Sequence, residues 1–209
     1  MVLQHIWGLF VRPERQWRTI REQHCTITKC YCSHVLILAA LPAIAGFIGT
    51  TQIGWAIGTR EVVKLTLPSA TAIALLSYVT ILVAVFSIGW LIHWMGQTYG
   101  ARQPLSQCVA LAAYTATPLF LVGVLWVYPV LWFNLLVGLP ALAYTVYLLY
   151  IGVPIMMDVS PERGFLFASA VLAVGLVTLV AVLAITAILW GSGFEPVFTS
   201  EIARVVRVI

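Results

Sequence analysis

Five long apolar runs occupy most of this 209-residue chain, at about residues 35–57, 67–95, 107–127, 130–157 and 164–190. No other feature restricts the fold as strongly. A helix that crosses a bilayer core of roughly 30 Å needs about 20 apolar residues, and each run is long enough. The sequence therefore predicts an all-α bundle of five transmembrane helices.

The overall composition supports this class. The chain is 62% hydrophobic and 9% charged, and its mean hydropathy is +1.02. Soluble domains carry about 25% charged residues. The net charge of +4 is small, and many of the basic residues lie near the N-terminus. This placement favours anionic lipid headgroups over nucleic acid as a partner.

The runs divide the chain into an N-terminal segment (1–33), the bundle (34–190) and a short tail (191–209). The N-terminal segment combines apolar and aromatic residues with a basic repeat, which predicts an amphipathic helix lying on the membrane surface. A cytosolic helix packed under the bundle is the alternative. The residues predicted to meet the membrane surface are Trp7, Arg12, Arg15, Trp17, Arg18 and Arg21.

The distribution of Lys and Arg predicts the orientation. With the N-terminus inside, seven of these residues fall on the inner side and four on the outer side. Five spans place the two termini on opposite sides, so we expect a cytosolic N-terminus and an external C-terminus.

The apolar runs offer little for catalysis. Within them there is no Asp, Glu, Lys or Arg, and the one histidine, His93, lies near a run end. The chain also lacks the common metalloprotease, serine-hydrolase and phosphate-binding motifs. The sequence thus predicts a protein that is not an enzyme and holds no cofactor.

One cluster before the first run has soft metal ligands. Thiolate and imidazole groups suit zinc or copper(I), but the spacing matches no familiar zinc motif. Cys30 and Cys32 would not share a helix face. The other reading is juxtamembrane thiols that are free or lipid-modified. The candidate ligands are Cys25, Cys30, Cys32 and His34.

The third and fourth runs contain prolines beside polar residues. Pro118 deprives the carbonyl near Tyr114 of its helical donor, and threonine hydroxyls can stabilise the resulting kink. These runs predict either a hinge that lines a cavity or a static bend that shapes packing. The candidate residues are Tyr114, Thr115, Thr117, Pro118, Tyr150, Gly152 and Pro154.

A short acidic turn joins the fourth and fifth runs and contains Asp158, Pro161 and Glu162. Ser160 suits a helix N-cap, and Pro161 suits the first helical position. The turn also predicts a cytosolic docking point for a partner, beside the basic N-terminal segment.

Two motifs, Ala113-Tyr-Thr-Ala-Thr-Pro118 and Leu149-Tyr-Ile-Gly-Val-Pro154, in this order and spacing, resemble the bacterial branch of the Yip (Ypt/Rab-interacting) family. Arg12-Pro13-Glu-Arg-Gln-Trp17 is similar to that branch's N-terminal element. The resemblance implies five spans, a cytosolic N-terminus and residence in the bacterial cytoplasmic (inner) membrane. Eukaryotic members interact with Rab GTPases and with each other, but a bacterium offers no Rab.

Two functions fit these observations. The first is a non-enzymatic protein that organises the membrane or binds partners, with lipids, further copies of itself or other membrane proteins as partners. The second is a small transporter, channel or lipid scramblase that uses the kinked third and fourth spans.

Overall fold

The computed structural model describes residues 2–23, 26, 31–54, 63–191 and 197–199. Five helices are long and apolar enough to cross a membrane: Leu36–Ile53, Leu67–Gly96, Leu105–Val127, Leu131–Met157 and Pro161–Ile188. The fold is therefore the all-α, five-span bundle that the sequence predicts. The fifth helix continues to Gly191.

Among the described residues, two short α-helices precede the spans: α1 (Val2–Val11) and α2 (Pro13–Glu22). Proline fits the first position of α2 because the first amides of a helix have no intrahelical acceptor. A π-helical turn, Tyr31–Val35, precedes the first span and leads into its α-helix, Leu36–Ile48. A second π-helical turn, Gly49–Ile53, ends it.

The bundle has two ends, defined here by the segments that meet there. The proximal end holds the turns 97–104 and 158–160, and the distal end holds segments 49–54, 63–66 and 197–199. At the distal end, the Thr66 amide donates to the Val197 carbonyl (3.0 Å) and the Thr199 amide donates to the Lys64 carbonyl (3.0 Å). The start of the tail is thus bonded to the segment before the second span.

The third span lies at the centre of the bundle, and 67% of the residues in its most apolar 18-residue stretch are buried. Close helix approach depends on glycine, as is common between membrane helices. A Cβ atom on Gly89 would lie 2.7 Å from the Val109 backbone, and one on Gly123 would lie 2.6 Å from Pro42. The outer part of the fifth span, beyond Leu172, is mostly exposed on the bundle surface, as lipid contact requires.

Candidate functional site at the break in the third span

The third span is interrupted near its middle. One helix ends at Thr115, and the next begins at Thr117. Pro118 cannot donate to the Tyr114 carbonyl, so the regular ladder fails here. Instead, the amides of Leu119 and Phe120 both donate to the Ala116 carbonyl, at 3.1 and 3.2 Å.

A buried histidine in the π-helical turn just before the first span contacts this break. The side chain of His34 is 1% exposed, and its Nε2 lies 3.0 Å from Thr117 Oγ1. Its ring centroid lies 4.3 Å from that of Tyr114. The third span runs Leu105–Val127, so Thr117 is near its midpoint. The imidazole therefore lies level with the middle of the central helix.

Two tyrosines fix the start of the first span against the second. The Tyr31 hydroxyl donates to the Leu82 carbonyl, and the Tyr78 hydroxyl donates to the Leu36 carbonyl at 3.1 Å. Both bonds reach the middle of the second span rather than its end. The π-helical turn that carries His34 is thus bonded to the second span at its first residue and just after its last.

The described polar groups at the break are an imidazole, a phenol and two threonine hydroxyls. Thr115 Oγ1 is buried and has no hydrogen-bond partner among the described residues. An unsatisfied buried polar atom costs about 1–3 kcal/mol, and ionisable residues inside a membrane usually mark function. The histidine, the hydroxyls and the helix break together form the strongest candidate site in the spans.

The predicted residues of the fourth span do not join this cluster but pack against other elements. The Tyr150 hydroxyl lies 2.8 Å from Ser169 Oγ of the fifth span. A Cβ on Gly152 would lie 2.8 Å from the Trp17 ring and 2.9 Å from Leu111. Pro154 packs closely against Gly164.

The N-terminal helices dock on the fourth span. Trp17 and Ile20 of α2 are buried in the core. The Tyr144 hydroxyl donates to the Leu9 carbonyl at 2.8 Å, and the Phe10 ring stacks on that of Tyr144 with centroids 5.1 Å apart.

Docking divides the predicted membrane-surface residues into two groups. Trp17 enters the core, and Arg21 reaches the turn after the fourth span, where it pairs with Asp158. Trp7 is 73% exposed, and Arg12, Arg15 and Arg18 are exposed as well. The outward group remains available to a membrane surface, whereas the inward group holds α2 on the bundle.

The acidic turn is shaped by a left-handed residue. Asp158 has φ 57° and ψ 48°, a conformation that aspartate tolerates better than most residues. Arg21 donates to Asp158 and also to the Ile155 carbonyl, each at 3.0 Å. Pro161 begins the fifth span, and Glu162 is exposed in its first turn. The chain's own α2 therefore occupies one side of the predicted docking turn.

The predicted metal cluster falls mostly outside the described residues, which include neither Cys25 nor Cys30, nor the side chain of Cys32. His34 is described and turns inward to Thr117. Among the described residues, no group of three or more His, Cys, Asp or Glu side chains is placed to hold a metal.

Known proteins resemble this chain over most of its length. The family model of the Yip1 domain matches residues 7–182, from α1 into the fifth span. The chain belongs to the Yip1 family. It is 44% identical over 193 residues to the inner membrane protein YohC of Escherichia coli K12, covering 92% of this chain and 99% of that protein. The same protein from Escherichia coli O6:H1 matches equally. No solved structure matches the chain significantly.

The Yip1 family resemblance and the membrane class could be read from the sequence, but the contact of His34 could not. His34 precedes the first long apolar run, so a hydropathy window places it outside the bundle. The one available signal was its position, next to the start of that run. The aromatic docking residue Tyr144 likewise gave no signal, because its partner Leu9 lies far away in sequence.

Proposed function

We propose that this Yip1-family protein is a non-enzymatic organiser of the inner membrane, which presents its N-terminal helices to lipids or partner proteins at the cytosolic surface. The observation that supports this proposal is the docking of α1 and α2 on the fourth span. Docking buries Trp17 and leaves Trp7, Arg12, Arg15 and Arg18 exposed.

The orientation is part of the proposal. The proximal end, which carries α2, Arg102 and Arg163, faces the cytosol, and the tail lies on the other side. Lys and Arg are enriched on cytosolic segments of membrane proteins, and anionic lipids of that leaflet attract them. An aromatic and basic surface held beside the fourth span suits this interface.

Low internal charge supports a role other than catalysis. The five spans contain two charged side chains of the Asp, Glu, Lys and Arg set, Glu162 and Arg163. Both lie in the first turn of the fifth span. Paired acids for proton transfer or ion coupling are therefore missing from the described membrane helices.

The test is site-specific photo-crosslinking in native membranes. A photoreactive amino acid replaces Arg18, on the outward face of α2, and a control replaces Val177, on the exposed surface of the fifth span. We expect the Arg18 position to give protein or lipid adducts that the control position does not. Monomer alone at both positions, or identical adducts, would refute the proposal.

A second function, passage of lipid or solute, has one observation in its favour: the polar contact between His34 and Thr117 at a helix break in mid-span. The check is a lipid-scrambling or flux assay with purified protein in liposomes. Rates at the level of empty liposomes would eliminate this function, and rates that fall on Thr117→Val would establish it over the first.

A further inference from the structure

Three soft or borderline metal ligands meet at the proximal end of the bundle, each from a different span. Cys108 Sγ lies 4.0 Å from Met157 Sδ and 4.0 Å from His93 Nδ1. Cys108 and Met157 are each 1% exposed, while His93 is half-buried. The thiol is thus the centre of a small group with one member open to the surface.

We propose that Cys108, Met157 and His93 form a copper(I) site. Thiolate and thioether ligands suit copper(I) and zinc, and imidazole suits both metals as well. With the bond lengths of zinc as a guide, roughly 2.3 Å to sulfur and 2.0 Å to nitrogen, two ligand atoms of one metal lie at most ~4.6 Å (two sulfurs) or ~4.3 Å (sulfur and nitrogen) apart. Both observed distances of 4.0 Å lie within these limits.

Charge favours a monovalent ion here. Copper(I) bound to one thiolate is neutral, whereas a divalent ion would leave a net positive charge among apolar helices, and buried uncompensated charge is costly. A thioether ligand likewise disfavours magnesium, which prefers oxygen ligands. This trio differs from the groups of three His, Cys, Asp or Glu side chains considered above. Its third ligand is the thioether of Met157.

Coordination replaces one existing bond. His93 Nδ1 lies 3.0 Å from the Gln103 carbonyl and donates to it in the metal-free protein. On binding, the Cys108 thiol proton is released to solvent, the imidazole proton moves to Nε2, and Nδ1 turns to the metal. Gln103 also connects to the Met157 carbonyl through its amide, at 3.4 Å, so this loop residue adjoins two of the three ligands.

The test separates this site from the other thiols of the chain. The background is the full-length protein with Cys25, Cys30 and Cys32 changed to Ser, titrated with copper(I) against a chromophoric chelator. We expect equimolar copper in this background. Cys108→Ser should weaken the affinity by more than the roughly 10- to 100-fold that loss of an outer-shell partner costs.

A neighbouring methionine provides the matched control. Met156 and Met157 are both buried in the core, and Met-to-Leu exchange preserves volume. We expect Met157→Leu to weaken copper binding about tenfold or more and Met156→Leu to leave it unchanged. Copper that disappears in the triple serine background, or that is equally affected by both methionine variants, would overturn the proposal. The outcome is independent of the proposed membrane-organising role.

Discussion

Arg21 Nη2 lies 2.9 Å from Asp158 Oδ2 and joins α2 to the turn after the fourth span. The two side chains are 35% and 65% exposed, so the ion pair is worth only about 0.2–1 kcal/mol. We expect Arg21→Gln, Asp158→Asn and the double variant to form a cycle with a coupling energy in this range, measured by unfolding in detergent. If the two free-energy changes of unfolding simply add in the double variant, Arg21 and Asp158 do not stabilise the fold through their ion pair.

Gly152 lets Trp17 dock. Alanine in a helix is favoured over glycine by roughly 0.5–1 kcal/mol, but overpacking costs about 1–3 kcal/mol. Since the added Cβ would lie 2.8 Å from the Trp17 ring, we expect Gly152→Ala to be destabilising and to expose α2 to protease. Limited proteolysis and thermal unfolding measure both effects.

Gly138 of the same helix is the matched control, because a Cβ there meets nothing within 4 Å. We expect Gly138→Ala to be neutral or slightly stabilising, with unchanged cleavage of α2. Equal behaviour of the two alanine variants would show that Gly152 does not govern docking.

The contact between His34 and Thr117 should stabilise the break in the third span. Hydrogen bonds between membrane helices average ~0.6 kcal/mol in double-mutant cycles. We expect His34→Leu and Thr117→Val to be coupled by about 0.5–1.5 kcal/mol. As a control, Thr178 donates to the Val174 carbonyl of its own helix, so Thr178→Val should show no coupling with His34→Leu.

The sequence predicted the five spans because apolar length is a local property that needs no knowledge of partners. The break near Pro118 was also local, since proline removes its own donor. Docking of α2 was different. The pattern around Trp17 predicted an apolar face. The surface that receives the Trp17 ring is at Gly152, and a glycine in an apolar run does not indicate which side chain packs on it.

The candidate site was only partly readable for the same reason. Asp158 was predicted as part of a turn, yet its partner Arg21 is 137 residues away in sequence. Likewise, Cys108, Met157 and His93 lie on three separate spans, and nothing in their spacing brings them together. Only the fold shows which of these side chains meet.

The outward arginines of α2 give the last prediction. A Lys or Arg near an anionic membrane surface contributes about 1 kcal/mol, so Arg15→Gln with Arg18→Gln should weaken attachment of α1 and α2 to anionic lipid roughly 30-fold. In nanodiscs, we expect native protein to be cleaved more slowly in α2 when the lipid is anionic than when it is zwitterionic. The double variant should lose this difference, and high salt should abolish it in the native protein because screening shortens the range of the attraction.

Arg102→Gln, which changes an exposed arginine in the 97–104 turn, is the control and should preserve the difference. Protection that is independent of lipid charge in the native protein would show that α1 and α2 are held by the fourth span alone.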